Sequence, residues 1–246
     1  MSTPAAPIVL LHGVGLDHTM WQPLVPLLGE RGAVDVLTPD LPGHGANPPV
    51  ADGVSLAGMA EQVAASVPPG SHLVGFSLGA LVAQHLARYR PDLVASLTSV
   101  SSVCRRTLAE RAAVLQRLAT AERDFPSSVA ASLQRWFPEP DADPDLIHRT
   151  EKTLLANDTA SYLRCYRVFA TADEELAPEL GRIAVPALAV TGDLDPGSTP
   201  QMTDRLAAAI PGCHAQVVPG ARHMWPAQRP AELATRLWAF LEGVNA

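Results

Sequence analysis

Short apolar runs rich in β-branched residues alternate along this chain with longer stretches of helical period. The runs Ile8–Leu11, Ala33–Thr38, His72–Phe76, Leu93–Val100, Val185–Thr191 and His214–Val218 each predict a buried strand. Helical patterns fall between and after them at about 19–29, 55–66, 78–89, 200–209 and 228–242. The last of these puts Leu233, Leu237, Phe240 and Leu241 on one face, with Glu232, Arg236 and Glu242 elsewhere. Continuous apolar strands alternating with helices predict an α/β fold: a mostly parallel six-stranded sheet with helices on both faces. Ligands of such sheets bind beyond the carboxyl ends of the strands.

One interval breaks the alternation. From Cys104 to Gly181 there is no convincing strand, only helical pattern cut by Pro126, Pro138, Pro140, Pro144 and Pro178. It predicts a helical cap, residues 104–181, inserted in a core made of residues 1–103 and 182–246. Ten of the chain's eighteen Lys and Arg residues lie in this insertion among many acids, so most of its charge is expected on solvated surface.

The chemistry concentrates where strands end. In LVGFSLGALVAQH (residues 73–85), Ser77 stands between a strand and a helix, flanked symmetrically by Gly75 and Gly79. Serine favours strands poorly and glycine weakens helices, so local propensity does not explain the pattern. A tight strand–turn–helix elbow does: the glycines let two backbones approach around a residue held in a sparsely allowed conformation, its oxygen exposed above the sheet. A serine hydroxyl needs a base, and the base an orienting acid. After the fifth strand comes TGDLDPGSTP, with Asp193 and Asp195 both available; after the sixth comes VPGARHMWPAQRP, with His223 just before the last helix. The first strand ends LLHGVGLDHTMW, where His12–Gly13 turns the chain. Backbone N–H groups of Val14 and of Leu78 are therefore candidates for an oxyanion hole, while His12 itself reads as a structural hydrogen-bonder.

Composition narrows the class. With 246 residues, 47% of them apolar, the chain can bury one large core. A net charge of −7 gives no electrostatic footprint for nucleic acid. Cys104, Cys165 and Cys213 are far apart and form no C-x-x-C pair, so they read as free thiols, and no metal or organic cofactor is expected. The N-terminal MSTPAAPIVLLHG has no charged leader region, and no apolar run approaches a membrane span. The expected location is the cytoplasm and the expected partner a small-molecule substrate; monomer and homodimer are left open.

The ordered pieces LLHGVG, DLPGHG (Asp40–Gly45), GFSLG, TGDLDP and GARH resemble the α/β-hydrolase superfamily over nearly the whole length. The resemblance implies a Ser77–His223–Asp195 triad, because the superfamily carries its acid as Gly-x-x-Asp and Gly192-Asp193-Leu194-Asp195 selects Asp195 over Asp193. It also implies one departure: members commonly begin with an antiparallel hairpin, and only seven residues precede Ile8, so that edge pair is expected to be missing. LQRWFP (133–138) and YLRCYRVFATAD (162–173) look like the cap of 3-oxoadipate enol-lactonases and their relatives. That subgroup handles small acids, so Arg135, Arg164 and Arg167 become candidate carboxylate clamps. Trp136 becomes a pocket-closing residue, with Trp21 and Trp225 at the mouth.

The leading expectation is a serine hydrolase of a small ester or enol-lactone carrying a carboxylate. Hydrolysis of an enamide-type ring-opened pyridine catabolite, an acylaminomethylene succinate, is the second. Perhydrolase chemistry and a non-catalytic small-molecule receptor rank behind both.

Overall fold

The computed structural model describes residues 6–30, 35–138 and 143–245. Six strands, β1 (Ile8–Leu11), β2 (Val36–Leu37), β3 (Ser71–Phe76), β4 (Val94–Val100), β5 (Ala187–Gly192) and β6 (His214–Val218), form one sheet in the order β2-β1-β3-β4-β5-β6. Every neighbouring pair is parallel. Every residue of β1, β3 and β5 is buried. Successive strand residues point to opposite faces, so both faces of the sheet's centre are covered, as the uninterrupted apolar runs require. The edge strands differ: β6 buries only Val218 and β2 neither residue.

Among the described residues ten helices accompany the sheet: α1 (Val25–Gly29), α2 (Leu56–Ala64), α3 (Leu78–Tyr89), α4 (Leu108–Arg123), α5 (Phe125–Trp136), α6 (Pro144–Leu155), α7 (Thr159–Leu176), α8 (Pro200–Ala209), α9 (Trp225–Gln228) and α10 (Pro230–Asn245). Five expected elements depart from the sequence pattern. The helix expected at 19–29 divides into a 3-10 turn, His18–Trp21, and α1, because Pro23 and Pro26 supply no N–H to a continuous ladder. The helix expected at 228–242 likewise divides at Arg229, with Pro230 opening α10. Leu93 closes a 3-10 turn instead of opening β4, and β5 starts at Ala187 instead of Val185. Strand β2 is shorter than 33–38, and residues 33–34 of that expectation lie outside the described residues.

Helices α4–α7 fill the chain between β4 and β5, and their starts are written in the sequence. Thr107 and Glu110 form a reciprocal capping box on α4, and Asp124, Asp143 and Asp158 cap α5, α6 and α7. Pro126 and Pro144 sit in first turns, where a missing N–H costs nothing, so they begin helices instead of cutting them. Polar ties dock this segment on the loops after β1 and β2. Asn157 donates to Gly15 O (2.8 Å), and Ser161 Oγ accepts from Val50 N–H (3.1 Å) and donates to Gly43 O (3.2 Å). At its root the buried Arg106 guanidinium meets buried Asp173 at 2.7 Å and also donates to Phe169 O (3.1 Å), fixing α7 against the end of β4. Among the described residues no helix is long and apolar enough to cross a membrane.

Candidate active site

Ser77 lies at φ 53°, ψ −112°, a left-handed conformation that a side chain enters only under constraint. Two packed backbones supply the constraint. A Cβ on Gly75 would stand 2.3 Å from Gly79 O, and one on Gly79 would stand 2.3 Å from Leu11 O. Both positions therefore exclude every other residue, so β1, β3 and α3 meet around the serine. Ser77 N–H donates to Val100 O (2.9 Å), which ties the elbow to β4. Although Ser77 occupies the N-cap of α3, its side chain makes no capping bond. The hydroxyl is withheld from the role a serine normally plays there. Leu78 opens α3, so its N–H has no intrahelical acceptor, and Val14, from the turn after β1, lines the same pocket as Ser77.

The loops after β5 and β6 deliver the other two groups. A Cβ on Gly192 would lie 2.1 Å from Ala221 O, so glycine permits the two loops to touch. The two aspartates then divide the work. Asp193 Oδ1 accepts Ala221 N–H (3.2 Å), clamping one loop to the other. Asp195, 2% exposed, accepts the N–H groups of Gly197 and Ser198 on Oδ1 (2.9 Å each) and bonds His223 Nδ1 through Oδ2 at 2.7 Å. An ionised carboxylate only accepts, so His223 Nδ1 donates this bond, the tautomer that in a neutral imidazole leaves the lone pair on Nε2. Trp136 stacks on the imidazole, with ring centroids 5.6 Å apart at 29°, and Phe76 supports it from 4.9 Å.

Ser77, Asp195 and His223 share one cavity of about 70 Å³ with Val14, Trp136, Arg135, Arg117, Tyr162, Tyr166 and Phe169. The remaining expectations fall elsewhere. Arg164 pairs with Asp52 (2.6 Å) and Arg167 with Glu122, both on a different cleft, so neither is a clamp in the Ser77 cavity. Their positions on α7 turn them away from the face that carries Tyr162, Tyr166 and Phe169. Trp21 and Trp225, 1% and 0% exposed, are core residues instead of mouth residues. The first packs edge-on against Phe76 (6.5 Å).

His12 is a structural hydrogen-bonder: fully buried, it accepts Leu41 N–H on Nε2 (2.9 Å) and donates from Nδ1 to Gly13 O (2.8 Å). Burial, with neighbouring His44 adding to it, pushes its pKa down to about 3, so it stays neutral. Burial pushes the Cys104 thiol up to about 11 and Cys165 up to about 12, which leaves both protonated and inert as nucleophiles.

Arg117, Tyr162 and Tyr166 escaped the sequence reading for a physical reason. Tyr162, Cys165, Tyr166 and Phe169 recur at helical spacing on α7, and such a stripe is indistinguishable from ordinary core. Arg117 had a weak signal, lying three residues after Val114 and one before Leu118, beside the buried stripe of α4.

A parallel sheet with this elbow, acid loop and histidine loop defines a hydrolase architecture, and comparison with known proteins agrees. Residues 8–236 match the model of the alpha/beta hydrolase family, and the chain belongs to that family. It is 31% identical over 240 residues to an (E)-2-((N-methylformamido)methylene)succinate hydrolase of Acinetobacter baylyi, covering 96% of this chain and 90% of the relative. A pimeloyl-[acyl-carrier protein] methyl ester esterase of Neisseria meningitidis is 33% identical over 246 residues, 96% of this chain and 94% of the relative. The enol-lactonase structure from Burkholderia xenovorans superposes with a TM-score of 0.86 over 98% of this chain and 92% of that one, at 24% identity, a likeness of fold.

Proposed function

We propose that the chain is a serine hydrolase of a small carboxylate-bearing ester or enol-lactone, working through Ser77, His223 and Asp195. The observation that carries the proposal is the buried 2.7 Å bond from His223 to Asp195 in the same cavity as a serine held in left-handed backbone with its hydroxyl uncapped. Asp195 fixes the imidazole with its Nε2 lone pair available to take the Ser77 proton as Oγ attacks the carbonyl. The N–H groups of Val14 and Leu78 receive the oxyanion, an interaction that strengthens only as negative charge develops there. Collapse of the tetrahedral intermediate forms the acyl-enzyme and releases the alcohol or enol oxygen, protonated by His223. In a lactone the released enol stays tethered to the acyl group. Water, deprotonated by His223, then frees the acid and regenerates Ser77.

A second reading replaces the ester by an enamide of an acylaminomethylene succinate, with nitrogen as the leaving atom. The relative from Acinetobacter baylyi favours it, since that protein's name carries such a substrate. The triad chemistry is common to both readings.

The test is intact-mass spectrometry of wild type and Ser77→Ala after treatment with a fluorophosphonate, followed by turnover of p-nitrophenyl acetate, 3-oxoadipate enol-lactone and an acylaminomethylene succinate. One phosphonyl adduct on wild type and none on the variant is the expected result. An unlabelled wild type overturns the serine mechanism. Turnover of the enamide alone replaces the first substrate reading by the second.

A further inference from the structure

Two guanidinium groups face the Ser77 cavity with no acid among the described residues to neutralise them. Arg117 comes from α4 and Arg135 from α5. Among the described residues neither lies within ion-pair distance of an aspartate or glutamate, whereas Arg106, Arg111, Arg164 and Arg167 in the same helical segment all do. The one carboxylate among the described residues of the cavity lining, Asp195, is committed to His223 and two backbone N–H groups.

Arg135 is held in place from behind. It donates to Ala131 O (2.9 Å) and to Ser132 Oγ (2.8 Å), and Ser132 in turn donates to Ser128 O (2.9 Å), which leaves the Ser132 lone pair for the arginine. The remaining guanidinium N–H groups meet no acceptor among the described residues. Burial, and the like charge of Arg117, lower the pKa of Arg135, so the pair destabilises itself when empty. Tyr162 and Tyr166 stack at 5.8 Å from α7, line the same cavity, and donate to no described group. Burial pushes the Tyr162 phenol well above its ordinary value, so it remains a hydrogen-bond donor. Three helices thus converge two cations and two phenols beside the nucleophile.

We infer that Arg117, Arg135, Tyr162 and Tyr166 form a subsite for a dianion, a small dicarboxylate whose acid groups are bound by the two arginines while its third acyl group meets Ser77. This deepens the proposed function and rests on it for the position of the reacting carbonyl. A single carboxylate leaves one half-buried guanidinium uncompensated; two balance both. Bidentate Arg–carboxylate pairing supplies the orientation, and a pre-ordered Arg135 lowers the ordering cost of binding. The consequence is a preference for substrates with two carboxylates over isosteres with one.

The experiment uses Ser77→Ala, so that binding is read without turnover, and follows Trp136 fluorescence while titrating succinate or butyrate. Trp136→Phe in the same background identifies the signal. Succinate is expected to bind at least about tenfold more tightly than butyrate, with that preference falling to about twofold or less in Arg117→Gln and in Arg135→Gln. Thermal melting of each variant confirms that it is folded. Equal binding of the two acids, no binding of either, or an unchanged preference in a folded Arg117→Gln overturns the dianion subsite. Phosphonate labelling of wild type is independent of these titrations, so failure of the subsite and failure of the serine mechanism give different results.

Discussion

Asp195→Asn tests the mechanism at its most constrained atom. The native carboxylate satisfies three donors: Gly197 N–H and Ser198 N–H on one oxygen, and His223 Nδ1–H on the other. An asparagine has one oxygen. If that oxygen stays on the two backbone N–H groups, each 2.9 Å away, its NH₂ faces His223 and requires a lone pair on Nδ1. The imidazole must then move its proton to Nε2, the atom that should receive the Ser77 proton. If the amide flips, NH₂ confronts two N–H donors in a group 2% exposed, where no water compensates. Leaving buried donors unpaired costs about 1–3 kcal/mol each, so the first arrangement wins. Loss of the correct tautomer in such a triad costs on the order of 10⁴ in kcat, about 5 kcal/mol of barrier. The assay is steady-state p-nitrophenyl acetate hydrolysis near neutral pH, with a thermal melt to confirm folding. A folded Asp195→Asn retaining a tenth of wild-type kcat would refute the tautomer argument.

Three further outcomes follow from the packing. Gly75→Ala places a methyl 2.3 Å from the Gly79 carbonyl, where neither backbone can yield cheaply; a loss on the order of 3 kcal/mol, or a melting temperature lower by about 6–12 °C, is expected by calorimetry. Arg164→Ala and Arg167→Ala break exposed ion pairs away from Ser77, so kcat/KM should stay within about threefold of wild type; a larger loss on p-nitrophenyl acetate would return them to the site. Stability should fall in mild acid because of His12. Its folded pKa of about 3 lies below the unfolded 6.5, so the unfolded chain binds the extra proton between these values. The stabilisation is fully present above pH 6.5 and is lost as pH falls toward 3, by roughly 2 kcal/mol at pH 5. Urea melts of wild type and His12→Gln at pH 7 and pH 5 check this: a wild type whose stability drops no more than the variant's refutes it.

Much of the molecule was legible in one dimension because its signals are local. Strand β1 is four apolar residues, and Ser77 is framed by glycines whose necessity follows from sequence symmetry; the chain order of serine, acid and histidine placed each at a strand end. Helix starts could be read from Thr107, Asp124, Asp143 and Asp158, whose side chains act within their own first turns. The competition between Asp193 and Asp195 was left open by the residues alone and turned to Asp195 only by the family resemblance; in the fold one clamps Ala221 and the other faces His223.

What the sequence could not determine is which long side chains share a cavity. Arg117, Arg135, Arg164 and Arg167 are alike as letters, each on an amphipathic helix with acids nearby. Two find acids on neighbouring elements and two face the serine, and the difference is set by helix rotation and by contacts dozens of residues apart. The stripe of Tyr162, Tyr166 and Phe169 has the period of a core face, and only the docking of α7 over the end of the sheet turns part of that core into the wall of a cavity. Backbone chemistry is written locally and can be read from the chain; the pairing of mobile charges is a property of tertiary geometry, because whichever partner lies within a few ångströms wins.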